Sequence, residues 1–212
     1  LNKRLLIIGC GGHAKVVSDI AHDLGFKKII YQDVDLEKKQ FMGKNVFHED
    51  FINFDDYFFV ALGDNFLREK VTNKFQQSNP NAVAATLIHP SSYISENCSI
   101  GEGSVIMPLC VINSSSQIGK GVIINTRSSI DHDNNLQDFS SIAPGVTTGG
   151  MVRIGNRSAI SIGAVIKHGI IIGSDSIVGA SSYVNKNFSS KKIIYGSPAK
   201  IIREREVGDK YL

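Results

Sequence analysis

The chain has 212 residues, enough for one large domain or two modest ones. Its 42% hydrophobic and 20% charged content reads as soluble and globular, and a net charge of +3 without a basic run interleaved with aromatics gives no basis for nucleic-acid binding. Three cysteines without a CxxC pair supply neither a disulfide framework nor a zinc knuckle. The apolar run Leu5–Ile8 is too short for a signal peptide or a membrane span, so a cytoplasmic location is the default expectation. The sequence starts at Leu1 and not at Met, which leaves the native N-terminus open.

The first part alternates strand and helix. Lys3–Gly9 ("KRLLIIG") is an apolar strand, and His13–Gly25 has helical spacing that ends on a glycine suited to a C-cap. Lys27–Asp33 and Tyr57–Gly63 are further strands, Asn65–Gln77 is a helix that stops before Asn79-Pro80, and Ala82–Ile88 is a last strand. This order implies a small parallel sheet. The stretch Leu36–Phe54 is irregular and takes no assignment.

Between the first strand and the first helix lies "GCGGHA" (Gly9–Ala14), which satisfies G-x-G-x-x-[G/A], and Asp33 ends the next strand near the expected spacing. Glycines there admit close approach, and helix N-terminal N–H groups attract phosphate. An NAD enzyme would show the same motif. Against that reading, the α/β part ends near Ile88, about half of a full dinucleotide fold. Half a fold suits a mononucleotide such as the UDP of a UDP-sugar.

From Ile88 the period changes. Every sixth residue through Val184 is branched aliphatic, Thr148 alone excepted, and no insertion breaks the register. Four places after each aliphatic come mostly small residues, among them Ser92, Cys98, Ser104, Cys110, Ser116 and Asn134. One place after it, Gly, Asn and Asp are common (Gly101, Asn113, Gly119, Asn125, Asp131, Gly149), and these are read as corners with φ > 0. One large and one small inward residue per hexad is the signature of a parallel β-helix, with three hexads per coil. Cys98 and Cys110 are read as small core residues, and Cys10 as packing.

The segment Ile88–Val184, with "YGSPAK" (Tyr195–Lys200) closing it, resembles the hexapeptide-repeat acyltransferases, whose coil is left-handed. With "IGCGGHAKVV" at the front, the whole chain resembles the bacterial nucleotide-sugar acetyltransferases of the bacillosamine pathway and the related sialic-acid O-acetyltransferases. The resemblance implies an α/β Rossmann-like half-domain (residues 1–87), a left-handed parallel β-helix (88–200) and a charged tail (201–212). It also implies acetyl-CoA as acyl donor and a homotrimer with active sites between chains. On that reading Gly11, Gly12 and His13 contact phosphate, and Asp33 contacts ribose or uracil. Lys15 or Arg68 adds charge, with a solvated helix position as the alternative for Lys15.

Within the coil, "SSIDHDNNL" (Ser128–Leu136) puts His132 between Asp131 and Asp133. A carboxylate there could accept the second ring N–H and raise the basicity of the imidazole. Asn134 is the one amide in the small column, and one coil on, "TTGGMV" makes the break in the aliphatic column. Stacking places Gly150 on the same corner as His132, so Gly149 and Gly150 should leave a notch free of side chains beside the ring, where a backbone N–H could bind a thioester oxygen. The expectation is that His132 is a general base, Asp133 orients it, and Gly150 N–H stabilises the tetrahedral intermediate. Asp131 is read as a φ > 0 corner and the alternative partner. Asn125 lies either near the substrate or at a corner. His168, two coils from His132, is placed beside the CoA arm with Gly149, Gly150 and Lys200 or Arg203, and no metal is expected.

The favoured reaction is N-acetylation of a UDP-4-amino-sugar, with sugar or sialic-acid O-acetylation as the runner-up. An NAD-linked oxidoreductase and a non-catalytic solenoid are the readings from other classes.

Overall fold

The computed structural model describes residues 4–49 and 54–210. Parts of the expected first strand, of the irregular stretch and of the tail lie outside the described residues. The α/β part contains β1 (Arg4–Ile8), α1 (Gly12–Asp23), β2 (Lys28–Gln32), β3 (Gln40–Phe41), β4 (Lys44–Phe47), β5 (Tyr57–Val60), α2 (Asn65–Ser78) and β6 (Val83–Ala84). They form one sheet in the order β3-β4-β2-β1-β5-β6. Leu5, Leu6 and Ile7 of β1 are fully buried because helices cover both faces of a central parallel strand. Gly25 has φ +83°, and the N–H groups of Gly25 and Phe26 return to the carbonyls of His22 and Ala21, so the glycine closes α1 as expected. The unassigned stretch holds the β3–β4 hairpin, whose strands of two and four residues are too short to carry a period.

The expected strand Ala82–Ile88 is in fact two. β6 ends the α/β sheet, while Leu87–Ile88 pairs with Val105–Ile106 and begins the solenoid. From there two-residue strands pair in parallel with those 18 residues on, such as Val105 with Ile123, Ser129 with Thr147 and Asn135 with Arg153. Three sheets result. The first carries Leu87–Ile88 through Ile177–Val178, the second Tyr93–Ile94 through Tyr183–Val184, and the third Ser99–Ile100 through Ile171–Ile172. In the inward column Ile106, Ile112, Ile124, Ile130, Ile142 and Ile154 are fully buried, and Ile88, Ile94 and Ile100 at the open first coil are partly buried. From Ser104 on the small column is buried too, and its serines link coils: Ser104 Oγ donates to Gly119 O at 2.9 Å and accepts from Val122 N at 2.9 Å. The solenoid closes with an antiparallel hairpin, Lys192–Gly196 with Ala199–Glu204, so a strand runs through the boundary expected at Lys200.

Two expectations about corners are corrected. From the second coil on, positive φ falls three places after the aliphatic, as at Ser115, Arg127, Asp133 and Met151, and not one place after it. Asp133, not Asp131, is therefore the left-handed corner residue. The glycines one place after the aliphatic serve close approach instead. A Cβ on Gly101 would sit 2.5 Å from the Gly119 backbone, and one on Gly155 2.3 Å from Ser174 N. At these glycines the next coil's backbone comes so close that no Cβ fits.

The α/β part covers the first sheet, whose outward residues Leu87, Val105, Ile123, Ala159 and Ile177 are buried. Arg68, 1% exposed, ties the two parts together. Its guanidinium donates to Gly121 O (2.8 Å), Phe139 O (2.9 Å), Leu62 O (3.0 Å) and Asn65 Oδ1 (2.7 Å). Arg157 adds ion pairs to Glu69 (2.9 Å) and Asp175 (2.8 Å). Arg68 is thus a structural tie whose donors are taken up by the protein, and its assignment to substrate charge is withdrawn. Arg68→Met should leave several buried carbonyls unpaired and lower unfolding stability by about 3 kcal/mol. Urea unfolding checks this, and an unchanged midpoint contradicts it.

Candidate active site

His132 sits on the corner between the second and third sheets, in the turn after Ser129–Ile130. Its Nδ1–H donates to Asp133 Oδ2 at 2.7 Å, because a carboxylate only accepts. That fixes the tautomer and leaves Nε2 with a free lone pair. The hydrogen bond to Asp133 raises the imidazole pKa above its ordinary 6.5, with the charges of Asp131 and Asp133 adding to the effect. Asp131 does different work: its Oδ1 accepts from His132 N at 2.8 Å and from Asn113 Nδ2 at 3.2 Å. Of the two acids, Asp133 partners the ring and Asp131 caps the backbone.

The stacking argument for Gly150 holds in the structure, and the one for Gly149 does not. A Cβ on Gly150 would lie 2.5 Å from both Cε1 and Nε2 of His132, so the imidazole rests on that glycine. A Cβ on Gly149 would instead strike His168 N at 2.7 Å, so Gly149 belongs to the close-stacking glycines and opens no notch. Its lack of a side chain matters in another way. One coil back, the residue in the same place caps the next N–H, as Asp131 does for His132 N; on the neighbouring corner Asn125 Oδ1 accepts from Thr126 N at 2.8 Å. Gly149 has nothing to offer, and Gly150 N has no hydrogen-bond partner among the described residues. An uncapped backbone N–H beside a basic imidazole can stabilise negative charge as it forms.

His168 is exposed, and its ring centroid lies 6.4 Å from that of His132, closer than two coils of backbone because the rings lean together. Among the described residues no group of three or more His, Cys, Asp or Glu could hold a metal ion. Lys200 does not join this corner: it lies in Ala199–Glu204, the edge strand of the first sheet.

The other expected residues gather at two further places. Asn125 and His13 line one cavity of about 340 Å³ with Gly63, Ser141, Pro144 and Ile162, on the corner between the first and second sheets. Burial, with Arg68 nearby, lowers the His13 pKa to about 4, so the ring is neutral near pH 7, and its buried Nε2 has no partner. His13 therefore offers phosphate a neutral ring and no cation.

The Gly-rich loop forms the third place. α1 begins after Gly11 without a side-chain cap, whereas Asp64 caps α2 through Leu67 N at 2.8 Å. A Cβ on Gly11 or Gly12 would meet nothing within 4 Å, so the space beside that helix end is open. β1 lies between β2 and β5, which makes its C-terminal end the switch point where α/β sheets bind ligands. A cavity of about 260 Å³ opens there, lined by Gly9, Asp33, Val34, Leu62 and Phe75 among others. Asp33 is already engaged by Cys10 N (2.7 Å), Asp35 N (2.9 Å) and Lys38 Nζ (3.0 Å). Burial opposes its charge, but those donors hold its pKa below the ordinary carboxylate value. Lys15 is on the exposed side of α1. Cys10 is buried, and burial pushes its thiol up to about 11, as befits a packing residue.

Sequence reasoning missed Thr148 and the inward contacts of Asn134 as parts of the corner. Their break in the columns is the signal that marks them. Asp133→Asn should bring the His132 pKa down toward 6.5. An NMR pH titration of the ring protons checks this, and an unshifted midpoint contradicts it.

Residues 4–75 match the model of the PglD N-terminal domain family. Over the chain as a whole, PerB from Caulobacter crescentus, solved in complex with CoA and GDP-perosamine, is 33% identical at a TM-score of 0.86, covering 93% of this chain and 96% of that one. The acetyltransferase domain of PglB from Neisseria gonorrhoeae FA1090, in complex with acetyl coenzyme A, is 32% identical at a TM-score of 0.88, covering 95% and 100%. GDP-perosamine N-acetyltransferase of Escherichia coli O157:H7 is 32% identical over 114 residues, 54% of this chain and 51% of that protein. The match thus spans about half the length of that curated relative. A left-handed β-helix behind an α/β domain is the shared frame, and the chain belongs to the bacterial hexapeptide-repeat nucleotide-sugar N-acetyltransferase family.

Proposed function

We propose that the chain transfers the acetyl group of acetyl-CoA to the amine of a nucleotide-linked amino-sugar. The observation that carries this reading is the His132–Gly150 pair: a ring whose Nδ1 is committed to Asp133 and whose Nε2 lies against a glycine with an uncapped N–H. His132 Nε2 takes a proton from the amine as its nitrogen attacks the thioester carbonyl. Gly150 N–H stabilises the resulting oxyanion. Collapse forms the amide and breaks the C–S bond, and the imidazolium returns the proton to the departing CoA thiolate. The CoA arm runs past Gly149, Gly150 and His168. The nucleotide diphosphate lies at the open end of α1, on Gly11 and Gly12, with its nucleoside in the cavity beside Asp33.

The half-size α/β domain supports a single nucleotide, and a UDP-4-amino-sugar is the favoured acceptor. A GDP-linked amino-sugar is the second reading, supported by the GDP-perosamine bound to PerB.

The acceptor amine has to meet His132, and the geometry favours doing so across a chain boundary. The His13–Asn125 cavity and the His132 corner flank opposite sides of the second sheet. The outward residues of that sheet include Tyr93 (60% exposed), Val111, Val165 and Tyr183, an apolar face in a chain whose first sheet is already covered. Packing three such faces about an axis buries them and brings the His132 corner of one protomer to the His13–Asn125 corner of the next.

A thiol-release assay with acetyl-CoA and a panel of UDP- and GDP-linked 4-amino-sugars tests the proposal. Turnover is expected with a nucleotide-linked amine and not with sialic acid. His132→Ala should lose about 10²–10⁴-fold in rate. Near-native turnover in that variant would overturn the role given to His132, and turnover only on hydroxyl acceptors would overturn the amine.

A further inference from the structure

Two polar side chains interrupt the solenoid core beside the proposed active corner, and both hold its backbone. Thr148 is the one non-aliphatic member of the large column and is 2% exposed. Its Oγ1 accepts from Asp131 N at 3.2 Å, whereas the equivalent N–H groups of Asn113 and Gly149 donate to the backbone carbonyls of Ile130 and Ile166 at 2.9 Å. Asn134 is the one amide of the small column and is 1% exposed. Its Nδ2 donates to Asp131 O (2.7 Å), Gly149 O (3.0 Å) and His132 O (3.3 Å), three carbonyls drawn from both sides of the corner. Three carbonyl partners fix which end of the amide is the nitrogen. Serines in this column make a smaller version of the same bond: Ser116 Oγ reaches Asp131 O at 2.7 Å and Ser128 Oγ reaches Ala143 O at 2.9 Å, each 15 residues on.

The contact with Gly149 O decides where Gly150 N–H points. Gly149 C=O and Gly150 N–H belong to one trans peptide, in which the two bonds are antiparallel. Asn134 lies inside the coil and holds that carbonyl inward, so the N–H is aimed outward. The one-coil-back peptide has the same sense: Asp131 O is held inward, and His132 N–H is directed outward to Asp131 Oδ1. Gly149 and Gly150 are both glycines, and a Gly-Gly peptide has unusually free rotation on either side. Ladder bonds of Gly149 N to Ile166 O and of Gly169 N to Gly150 O hold the flanking backbone, and on the 149–150 peptide itself the inward hydrogen bond from Asn134 sets the orientation.

We propose that Asn134 is a positioning residue for the acetyl transfer: by clamping Gly149 O it holds Gly150 N–H toward the reacting carbonyl and ties that peptide to the backbone of His132. This inference rests on the acetyltransferase reading and adds a residue that never touches substrate.

The test compares Asn134→Val with Asn134→Ser. Valine already occupies this column at Val122, Val146 and Val152, so the fold accepts it, but it offers Gly149 O no donor. Serine can restore the bond as its neighbours in the column do. Asn134→Val should lose roughly 10–100-fold in kcat with KM for acetyl-CoA within about threefold of wild type, because the lost interaction acts on the transition state. The acidic limb of its pH profile, set by protonation of the base, should stay in place, since the His132–Asp133 pair is untouched, and Asn134→Ser should recover most of the loss. The proposal is overturned if Asn134→Val keeps its kcat, or if serine is as impaired as valine. If the wild type itself transfers no acetyl group, the functional reading fails, and the crystal structure of Asn134→Val decides the clamp separately. A reoriented 149–150 peptide supports the clamp, and an unchanged one overturns it.

Discussion

The rest of this structure depends on coils that stack in a fixed 18-residue register. Each strand of the solenoid is only two residues long, far too short to hold a position alone. Its place is set by inward aliphatics packing over inward aliphatics and by ladder bonds to the coils on either side. A single inserted residue would send the next aliphatic outward, so the repeat tolerates no slippage between Ile88 and Val184. That rigidity turns sequence spacing into geometry. A histidine and a glycine 18 residues apart are held in contact with no loop to adjust.

Register also explains how a scaffold becomes a site through few substitutions. The place after the aliphatic carries a capping residue at Asn125 and Asp131, and at Gly101, Gly119, Gly149, Gly155 and Gly173 a glycine that lets the next coil approach. At Gly149 the second kind of residue stands where a cap would protect the following N–H, and the histidine that rests over it comes from the coil below. The partner carboxylate of that histidine occupies the left-handed corner, where a regular solenoid needs only a residue that tolerates positive φ. Each chemical feature is a scaffold position filled with a different residue. The α/β domain adds an open helix terminus at a switch point and covers one of the three solenoid faces, leaving the second face, with Tyr93, Val165 and Tyr183, uncovered within the chain.

Much of this was legible in the sequence because the period is long and strict. The column of aliphatics gave the solenoid, and adding 18 to His132 gave Gly150. Conformation at the corners was not legible in the same way. Glycine is suited both to positive φ and to close approach, and only coordinates distinguish the two; Asp, Asn and Gly one place after the aliphatic were read as left-handed when close stacking and capping explain them. Arg68 shows a second limit. A lone arginine on a helix reads as free charge, and its burial comes from contacts with Gly121 and Phe139 more than 50 residues away. The β3–β4 hairpin and the split of Ala82–Ile88 were hidden because strands of two to four residues are too short to show a period. Asn134 and Thr148 stood out as exceptions in their columns, but which carbonyl each one holds is a matter of three-dimensional contact.

The central claim is that the register divides the site between two corners of one chain and that a neighbouring protomer completes it. The most direct measurement mixes two variant chains by joint refolding, one carrying His132→Ala and the other a substitution in the opposite corner, Asn125→Ala, after each is shown to be impaired on its own. If the corners of adjacent protomers meet, random mixing at equal amounts leaves roughly one quarter of the shared sites with both residues intact, and acetyl transfer returns to about that fraction of wild type. If the mixture is no more active than the two variants measured separately, the site is not shared between chains and the account is contradicted.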